Sequence, residues 1–130
     1  LITTHVFPDG DGLGSAMALH FFLKKSGKRS VVMSSHPAPE KFRLVDPHNE
    51  IQVFQPGQAL PPVDMVLVVD TSDWKMLGAM ADPIRALKVP VIFLDHHVPE
   101  VEDLEHHLID EQYGSTGELV YEFLRLMRAD

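Results

Sequence analysis

One stretch near the amino terminus carries residues that could bind a divalent cation. His5 follows an apolar, β-branched segment, and Asp9 and Asp11 follow it in a turn rich in proline and glycine. An imidazole and paired carboxylates form a suitable ligand set for such a cation. Because carboxylates would repel a bare phosphate, a cation must intervene if phosphate is the ligand. A second interpretation stays open, in which Asp9 and Asp11 are ordinary turn and helix-capping residues.

Further His and Asp side chains stand where apolar runs end. The central apolar run ends in Asp70, and the next one ends in Asp95-His96-His97. Asp110 stands shortly before the last helical segment. In an open parallel sheet the carboxyl ends of the strands meet at one edge, and ligands bind there. We therefore expect these side chains to converge with those of the first stretch.

The elements that must position these residues alternate along the chain. Strands are predicted at residues 1–4, 29–34, 51–54, 65–69 and 91–94, and helices at 12–26, at 74–87 and after Ser115. The second helix is expected to be interrupted near Asp82-Pro83, since proline fits the first turn of a new helix. The polar segment that leads to Leu108 is predicted to be irregular. Ser115 and Glu118 fit the capping-box pattern.

Continuous apolar strands between helices predict an α/β fold with a parallel sheet and helices on both faces. The metal site is expected at the C-terminal edge of its strands. The predicted ligands outnumber those that one octahedral ion with open positions needs, so we expect two divalent ions, with Asp70 as a bridge. Mixed imidazole and carboxylate ligation favours Mn²⁺, with Mg²⁺, Co²⁺ or Zn²⁺ as competitors. Two such ions suit phosphoester hydrolysis.

The composition limits the partners. The 130 residues suit one domain with its own core. Eleven Lys and Arg residues face 19 Asp and Glu residues, and the formal charge of −8 argues against non-specific binding along duplex nucleic acid. The sequence has no cysteine, which excludes thiolate metal sites and favours a cytoplasmic location. It has no apolar stretch long enough to cross a membrane.

Four motifs, in order along the whole chain, resemble those of the DHH phosphoesterases. They are His5-x-x-x-Asp9-x-Asp11-x-x-Gly14-Ser15, Val69-Asp70-Thr71-Ser72, Asp95-His96-His97, and Asp110 followed by Ser115-Thr116-Gly117-Glu118. The last motif and the short spacings are most similar to the NrnA-like branch, which degrades very short RNAs and can dephosphorylate pAp.

The resemblance implies an Mn²⁺-dependent phosphodiesterase of the exonuclease type, which hydrolyses short oligonucleotides or nucleotide phosphates by attack of a metal-bound hydroxide. It implies that His97 faces the substrate phosphate and acts in catalysis with Asp70. It implies metal ligation by six residues: His5, Asp9, Asp11, Asp70, His96 and Asp110. The partner is then a short single-stranded nucleic acid or a nucleotide, and the choice among RNA, DNA and pAp stays open.

In the NrnA-like branch a second, smaller domain of the DHHA1 type carries a substrate-binding motif. No such motif follows Asp130, and the chain opens on Leu1 rather than on Met. We therefore expect residues 1–130 to be a DHH catalytic domain without its DHHA1-type domain, a fragment of a longer protein. A homodimer of the full-length protein is left open.

Three rival functions remain open. A phosphatase of the haloacid dehalogenase type would use the first carboxylate of Asp9-Gly10-Asp11 as its nucleophile, but the strand ends several residues earlier. A receiver domain is the second rival function, but it would not require His5 and His96 in its site. A catalytically weak regulatory module that binds nucleotides is the third.

Other polar residues are interpreted more simply. Asp95 is expected to support a neighbouring ligand, since metal ligands need orienting partners. The histidines without a visible constellation, His20, His36 and His48, are interpreted as incidental.

Overall fold

The computed structural model describes residues 1–99 and 104–127. Within them, six strands form one sheet in which every neighbouring pair is parallel. In chain order the strands are β1 (Ile2–Thr4), β2 (Val32–Ser34), β3 (Ile51–Val53), β4 (Val66–Val69), β5 (Val91–Asp95) and β6 (His106–Ile109). Their order across the sheet is β3-β2-β1-β4-β5-β6. The predicted parallel α/β architecture is confirmed.

Helices cover both faces of this sheet. The α-helices are α1 (Gly10–Lys25), α2 (Ala81–Ala86) and α3 (Thr116–Leu126), and 3₁₀ helices occupy Glu40–Val45 and Trp74–Met80. On one face, α1 and α3 pack against each other and bury Met17 and Leu119 over β1 and β4. On the other face, Leu77, Met80 and Ile84 pack against β4 and β5. Burial on both faces explains the uninterrupted apolar strands.

The first helix begins two residues earlier than the sequence pattern indicated. Asp9 has extended backbone angles and accepts a hydrogen bond from the Gly12 N–H at 3.0 Å, so it is the residue that caps α1. Gly12 lies against β1, where a Cβ atom would be 2.3 Å from Thr4 Oγ1. Both features fix the entrance of α1 close to the carboxyl end of β1.

One other prediction needed correction. The prediction of an irregular segment that leads to Leu108 was wrong for residues 106–108, because residues 106–109 form β6, paired in parallel with β5, while residues 100–103 of that segment lie outside the described residues. This strand is at the edge of the sheet and its side chains are largely exposed, so it lacks the apolar run that marks the inner strands. The predicted interruption of the second helical segment is confirmed, because α2 begins at Ala81 with Pro83 in its first turn, and a further kink lies at Gly78 (φ 55°).

Among the described residues, no helix combines the length and the apolar character that a membrane crossing needs.

Candidate metal centre

The two central strands of the sheet deliver the core of the candidate site. The chain runs outward from β1 in one direction and from β4 in the other, so these neighbours form the switch point where open α/β sheets bind ligands. Thr4 is in register with Val69. The next residues, His5 and Asp70, therefore emerge side by side, and His5 Nε2 lies 3.4 Å from Asp70 Oδ2.

The first group of candidate ligands lies around His5. His5 Nε2 is 3.6 Å from Asp9 Oδ1, and one ligand atom from each of His5, Asp9 and Asp70 lies within 4.8 Å of the others. His5 Nδ1 is 2.7 Å from the carbonyl oxygen of Val6. A proton on Nδ1 would be donated to that carbonyl, which leaves Nε2 free to bind a ligand.

A second group shares Asp70 with the first. One ligand atom from each of Asp70, His96 and His97 again lies within 4.8 Å of the others. His96 Nε2 is 3.9 Å from Asp70 Oδ1, while its Nδ1 is 3.3 Å from the Tyr113 carbonyl oxygen. Asp70 therefore directs Oδ2 toward one group and Oδ1 toward the other.

Asp70 is buried and its backbone is unusual. Its side chain is 3% exposed, and its φ of 65° lies in the left-handed region, where residues other than glycine are strained. Its Oδ1 accepts a hydrogen bond from the hydroxyl of Thr116 at 2.9 Å. Burial raises the pKa of Asp70 above its ordinary value, against the hydrogen bonds from His5 and Thr116, and the nearby carboxylates of Asp11 and Asp9 raise it further.

The charges of this group suit a cation. The hydrogen bond to Asp70 raises the pKa of His5 to about 9 despite burial. Burial works against ionisation of Asp9, but the Gly12 N–H and His5 together lower the pKa of its carboxyl. A proton on His5 thus balances the negative charge in the metal-free chain. A divalent ion would do so more fully, and imidazole nitrogen and carboxylate oxygen are donors that Mn²⁺ and similar ions accept.

Asp11 lies next to the second group and also holds α3. Its Oδ2 is 3.6 Å from His96 Nε2. The same carboxylate accepts hydrogen bonds from the backbone N–H groups of Thr116 and Gly117, at 2.9 and 2.7 Å, in the first turn of α3. A carboxylate has about four lone-pair sites, so these two bonds leave capacity for a further ligand.

His97 is oriented by Asp95. The buried Asp95 carboxylate accepts hydrogen bonds from the backbone N–H groups of His96 and His97, and its Oδ1 is 2.6 Å from His97 Nδ1. The His97 side chain is 58% exposed, in contrast to Asp70. His97 is thus a fixed imidazole on the open side of the group.

Asp110 is not brought into either group. Its backbone N–H donates to the Asp95 carbonyl, and its carboxylate accepts a hydrogen bond from the Gln112 N–H at 2.9 Å. It lies just after β6 and turns the chain toward α3. Its role as a ligand stays a prediction, as do the roles of the other predicted site residues.

The sequence pattern missed the part that Thr116 plays. Ser115 is the predicted cap, because its Oγ accepts from the Glu118 N–H, while the Glu118 side chain accepts from the N–H of Gly114 rather than from that of Ser115. Thr116 between them is fully buried and donates to Asp70. Its place in a capping motif at a helix start was the available signal, but that signal does not say what the hydroxyl faces.

The chain is similar to one protein family and to two known proteins. A model of the DHH family, N-terminal domain, matches residues 1–130. The bifunctional oligoribonuclease and PAP phosphatase NrnA of Thermus thermophilus is 30% identical over 130 residues, which cover 97% of this chain and 36% of that protein. The crystal structure of an exopolyphosphatase-related protein from Bacteroides fragilis superposes with a TM-score of 0.84 at 25% identity, covering 97% of this chain and 38% of the other. The chain thus spans somewhat more than a third of the length of these two proteins.

Proposed function

This chain belongs to the DHH family, because the model of that family's N-terminal domain matches it. We propose that it hydrolyses phosphoesters of short oligonucleotides or nucleotides with the help of two divalent cations, for which Mn²⁺ is the first choice. The observation that carries the proposal is the shared carboxylate of Asp70. Two His-containing groups meet on its two oxygen atoms, which is the arrangement expected of a bridging ligand. A single-ion site would not need a second group.

The residues divide between the two positions. His5, Asp9 and Asp70 would hold one cation, and Asp70, His96 and Asp11 would hold the other, with Asp110 retained as a predicted ligand. Two cations so placed would activate a water molecule and neutralise charge on the phosphoryl oxygens. The protein fixes this donor set through contacts outside it: Val6 for His5, Tyr113 for His96 and Thr116 for Asp70.

His97 has a different task in this proposal. Asp95 occupies Nδ1, so Nε2 is the ring nitrogen that remains available. When it carries a proton, that nitrogen would donate a hydrogen bond to a phosphoryl oxygen. The high exposure of His97 supports a role toward substrate more than a role as a buried ligand.

The relative supports a proposal for the substrate class. The Thermus thermophilus protein is described as acting on oligoribonucleotides and on PAP. We propose the same class for this chain, with short RNA and pAp as the first compounds to test. Because the relatives are longer than this chain, we propose that a DHHA1-type domain in a longer protein would contribute further substrate contacts.

The rival phosphatase mechanism receives no support from the geometry. A carboxylate nucleophile of that class directly follows its strand, whereas β1 ends at Thr4 and Asp9 caps α1. The two mechanisms differ in the stereochemical course at phosphorus. With a chiral phosphorothioate substrate, a single direct attack by water inverts the configuration at phosphorus, whereas two successive displacements through an aspartyl phosphate retain it.

The function is tested with the purified chain, stripped with EDTA and then supplied with Mn²⁺. We expect it to release a nucleoside monophosphate from a two- to five-nucleotide RNA, or phosphate from pAp, only after the metal is added. Asp70→Asn should lower kcat by at least a factor of about 10³, because both groups lose a charged ligand. Asp64→Asn, which changes an exposed carboxylate, is the matched control. Undiminished turnover in EDTA, or in Asp70→Asn, would contradict the proposal.

A further inference from the structure

A large apolar ring stands in solvent on the loop that carries the candidate ligands. Phe7 lies between His5 and Asp9, and it is 77% exposed. Its φ of 51° is in the left-handed region, which is a genuine outlier for a bulky residue. Strained conformations persist where the surrounding structure enforces them, and they concentrate at functional sites. Neither the proposed cation positions nor the core uses this ring.

The Phe7 ring is half of a stacked pair. It lies 4.3 Å from the His36 ring, centroid to centroid, with an angle of 17° between the planes. His36 follows β2, the neighbour of β1, and is held by Ser34, whose hydroxyl donates to the His36 carbonyl at 2.8 Å. We call this pair the Phe7–His36 platform. It presents a flat aromatic surface at the edge of the sheet where the candidate ligands lie.

One peptide unit joins the platform to the candidate metal centre. The carbonyl of Val6 faces His5 Nδ1 at 2.7 Å, and the N–H of Phe7, in the same planar unit, donates to His36 Nδ1 at 3.4 Å. The Val6 N–H is itself held by the carbonyl of Met76 at 2.7 Å. The ring is therefore fixed relative to His5 although it is exposed.

We propose that the Phe7–His36 platform stacks the nucleobase next to the phosphoester that is held at Asp70. The inference rests on the proposed function and names the part of the substrate that the domain itself recognises. Two residues of extended chain span at most about 7 Å, so Phe7 lies within the reach of a base joined through its sugar to a phosphate near His5. Aromatic side chains stack any base, because every base has a π face. The platform thus selects nucleotides over other phosphoesters without selecting a base.

The test compares two substrates and four variants of the chain. One substrate is a dinucleotide, and the other is the same phosphodiester with an abasic site in place of the base next to the scissile bond. Phe7→Gly removes the ring and relieves the strained backbone, so its Tm should stay close to that of the wild type. Phe7→Trp keeps a stacking surface. Leu44→Ala changes another highly exposed apolar residue, outside the platform, and serves as the control.

We expect Phe7→Gly to raise KM for the dinucleotide about 5- to 150-fold, which is the range for loss of one base–aromatic stack. KM for the abasic substrate should stay unchanged, and Phe7→Trp and Leu44→Ala should keep the wild-type KM for both. A 2-aminopurine base in the dinucleotide should be quenched on stopped-flow mixing with the wild type and not with Phe7→Gly. His36→Ala should give a smaller rise in KM.

The outcomes separate this inference from the function on which it rests. If the wild type hydrolyses the dinucleotide and Phe7→Gly has the same KM and the same quenching, the proposed role of the Phe7–His36 platform is wrong and the proposed function stands. If Phe7→Gly affects the abasic substrate equally, the ring acts on the loop and not on the base, which also overturns the inference. If the wild type hydrolyses neither substrate with Mn²⁺, both proposals fail together.

Discussion

Asp11 accepts a hydrogen bond at 2.7 Å from the backbone N–H of Gly117, 106 residues further along the chain. A second bond, from the Thr116 N–H, joins the same carboxylate to the first turn of α3. The loop that carries the candidate ligands and the last helix are therefore one assembly. The negative charge of Asp11 also lies at the positive end of the α3 dipole, where it is stabilising.

Asp11 is therefore expected to matter for stability as well as for metal binding. Asp11→Ala removes two charge-assisted hydrogen bonds, and we predict a loss of about 2 kcal/mol in the free energy of unfolding. Urea denaturation in EDTA measures this effect without any contribution from metal. Asp82→Ala, which removes an exposed carboxylate paired with Arg85 at 3.5 Å, should change the free energy by about 0.5 kcal/mol or less. Equal losses in the two variants would contradict the assignment.

Thr116 is predicted to position Asp70. Thr116→Val keeps the shape of the side chain and removes the hydroxyl that donates to Asp70 Oδ1. We expect metal affinity to fall about 10- to 100-fold, as it does when the support of a ligand is lost. Thr116→Ser should retain most of the affinity. Isothermal titration of Mn²⁺ into each protein measures these affinities. A wild-type Mn²⁺ affinity in Thr116→Val would show that the hydrogen bond does not contribute to metal binding.

The metal-free chain should become less stable as the pH rises. The pKa of His5 is about 9 in the folded chain, through its hydrogen bond to Asp70, against an ordinary value of about 6.5. The folded state thus binds more protons, so the contribution is complete below about pH 6.5 and is lost as the pH rises through about 9. The raised pKa of Asp70 acts in the same direction at lower pH.

Melting curves in EDTA at several pH values between 6 and 9 measure this slope. His5→Gln should flatten it, whereas His48→Gln, which changes an exposed histidine, should leave it in place. Saturating Mn²⁺ should reverse the slope, because protons then compete with the metal. A wild-type Tm that is flat between pH 6.5 and 9 in EDTA would contradict the charge balance inferred for His5 and Asp70.

Asp95 and His97 are expected to act as a unit. Asp95→Asn should lower kcat about 10- to 100-fold, because the Asp95 carboxylate that holds His97 Nδ1 is lost and the ring is no longer fixed. In a His97→Gln background the same substitution should have little further effect on kcat. The double-mutant cycle measures this coupling. Additive losses would mean that Asp95 acts on catalysis by another route, such as the backbone of His96.

The sequence was sufficient for the five inner and early strands and for bringing His5, Asp9, Asp70 and His96 together, because strands buried on both faces leave a continuous apolar signal. It was insufficient for β6, an exposed edge strand without that signal. The contact between Thr116 and Asp70 depends on how α3 docks on β4, which no local pattern records. The stacking of His36 on Phe7 was not visible in the sequence, because the two residues lie on different segments. The hydrogen bonds that hold His20 between Ser30 and Glu50 were hidden for the same reason, and the interpretation of both histidines as incidental to function stays a prediction.

The central claim is that Asp70 bridges two divalent cations. The most direct measurement is anomalous diffraction from crystals of this chain soaked in millimolar Mn²⁺. We predict two Mn²⁺ ions per chain that both contact the Asp70 carboxylate, one beside His5 and the other beside His96. A single ion, ions bound elsewhere, or no ion at Asp70 under these conditions would contradict the account.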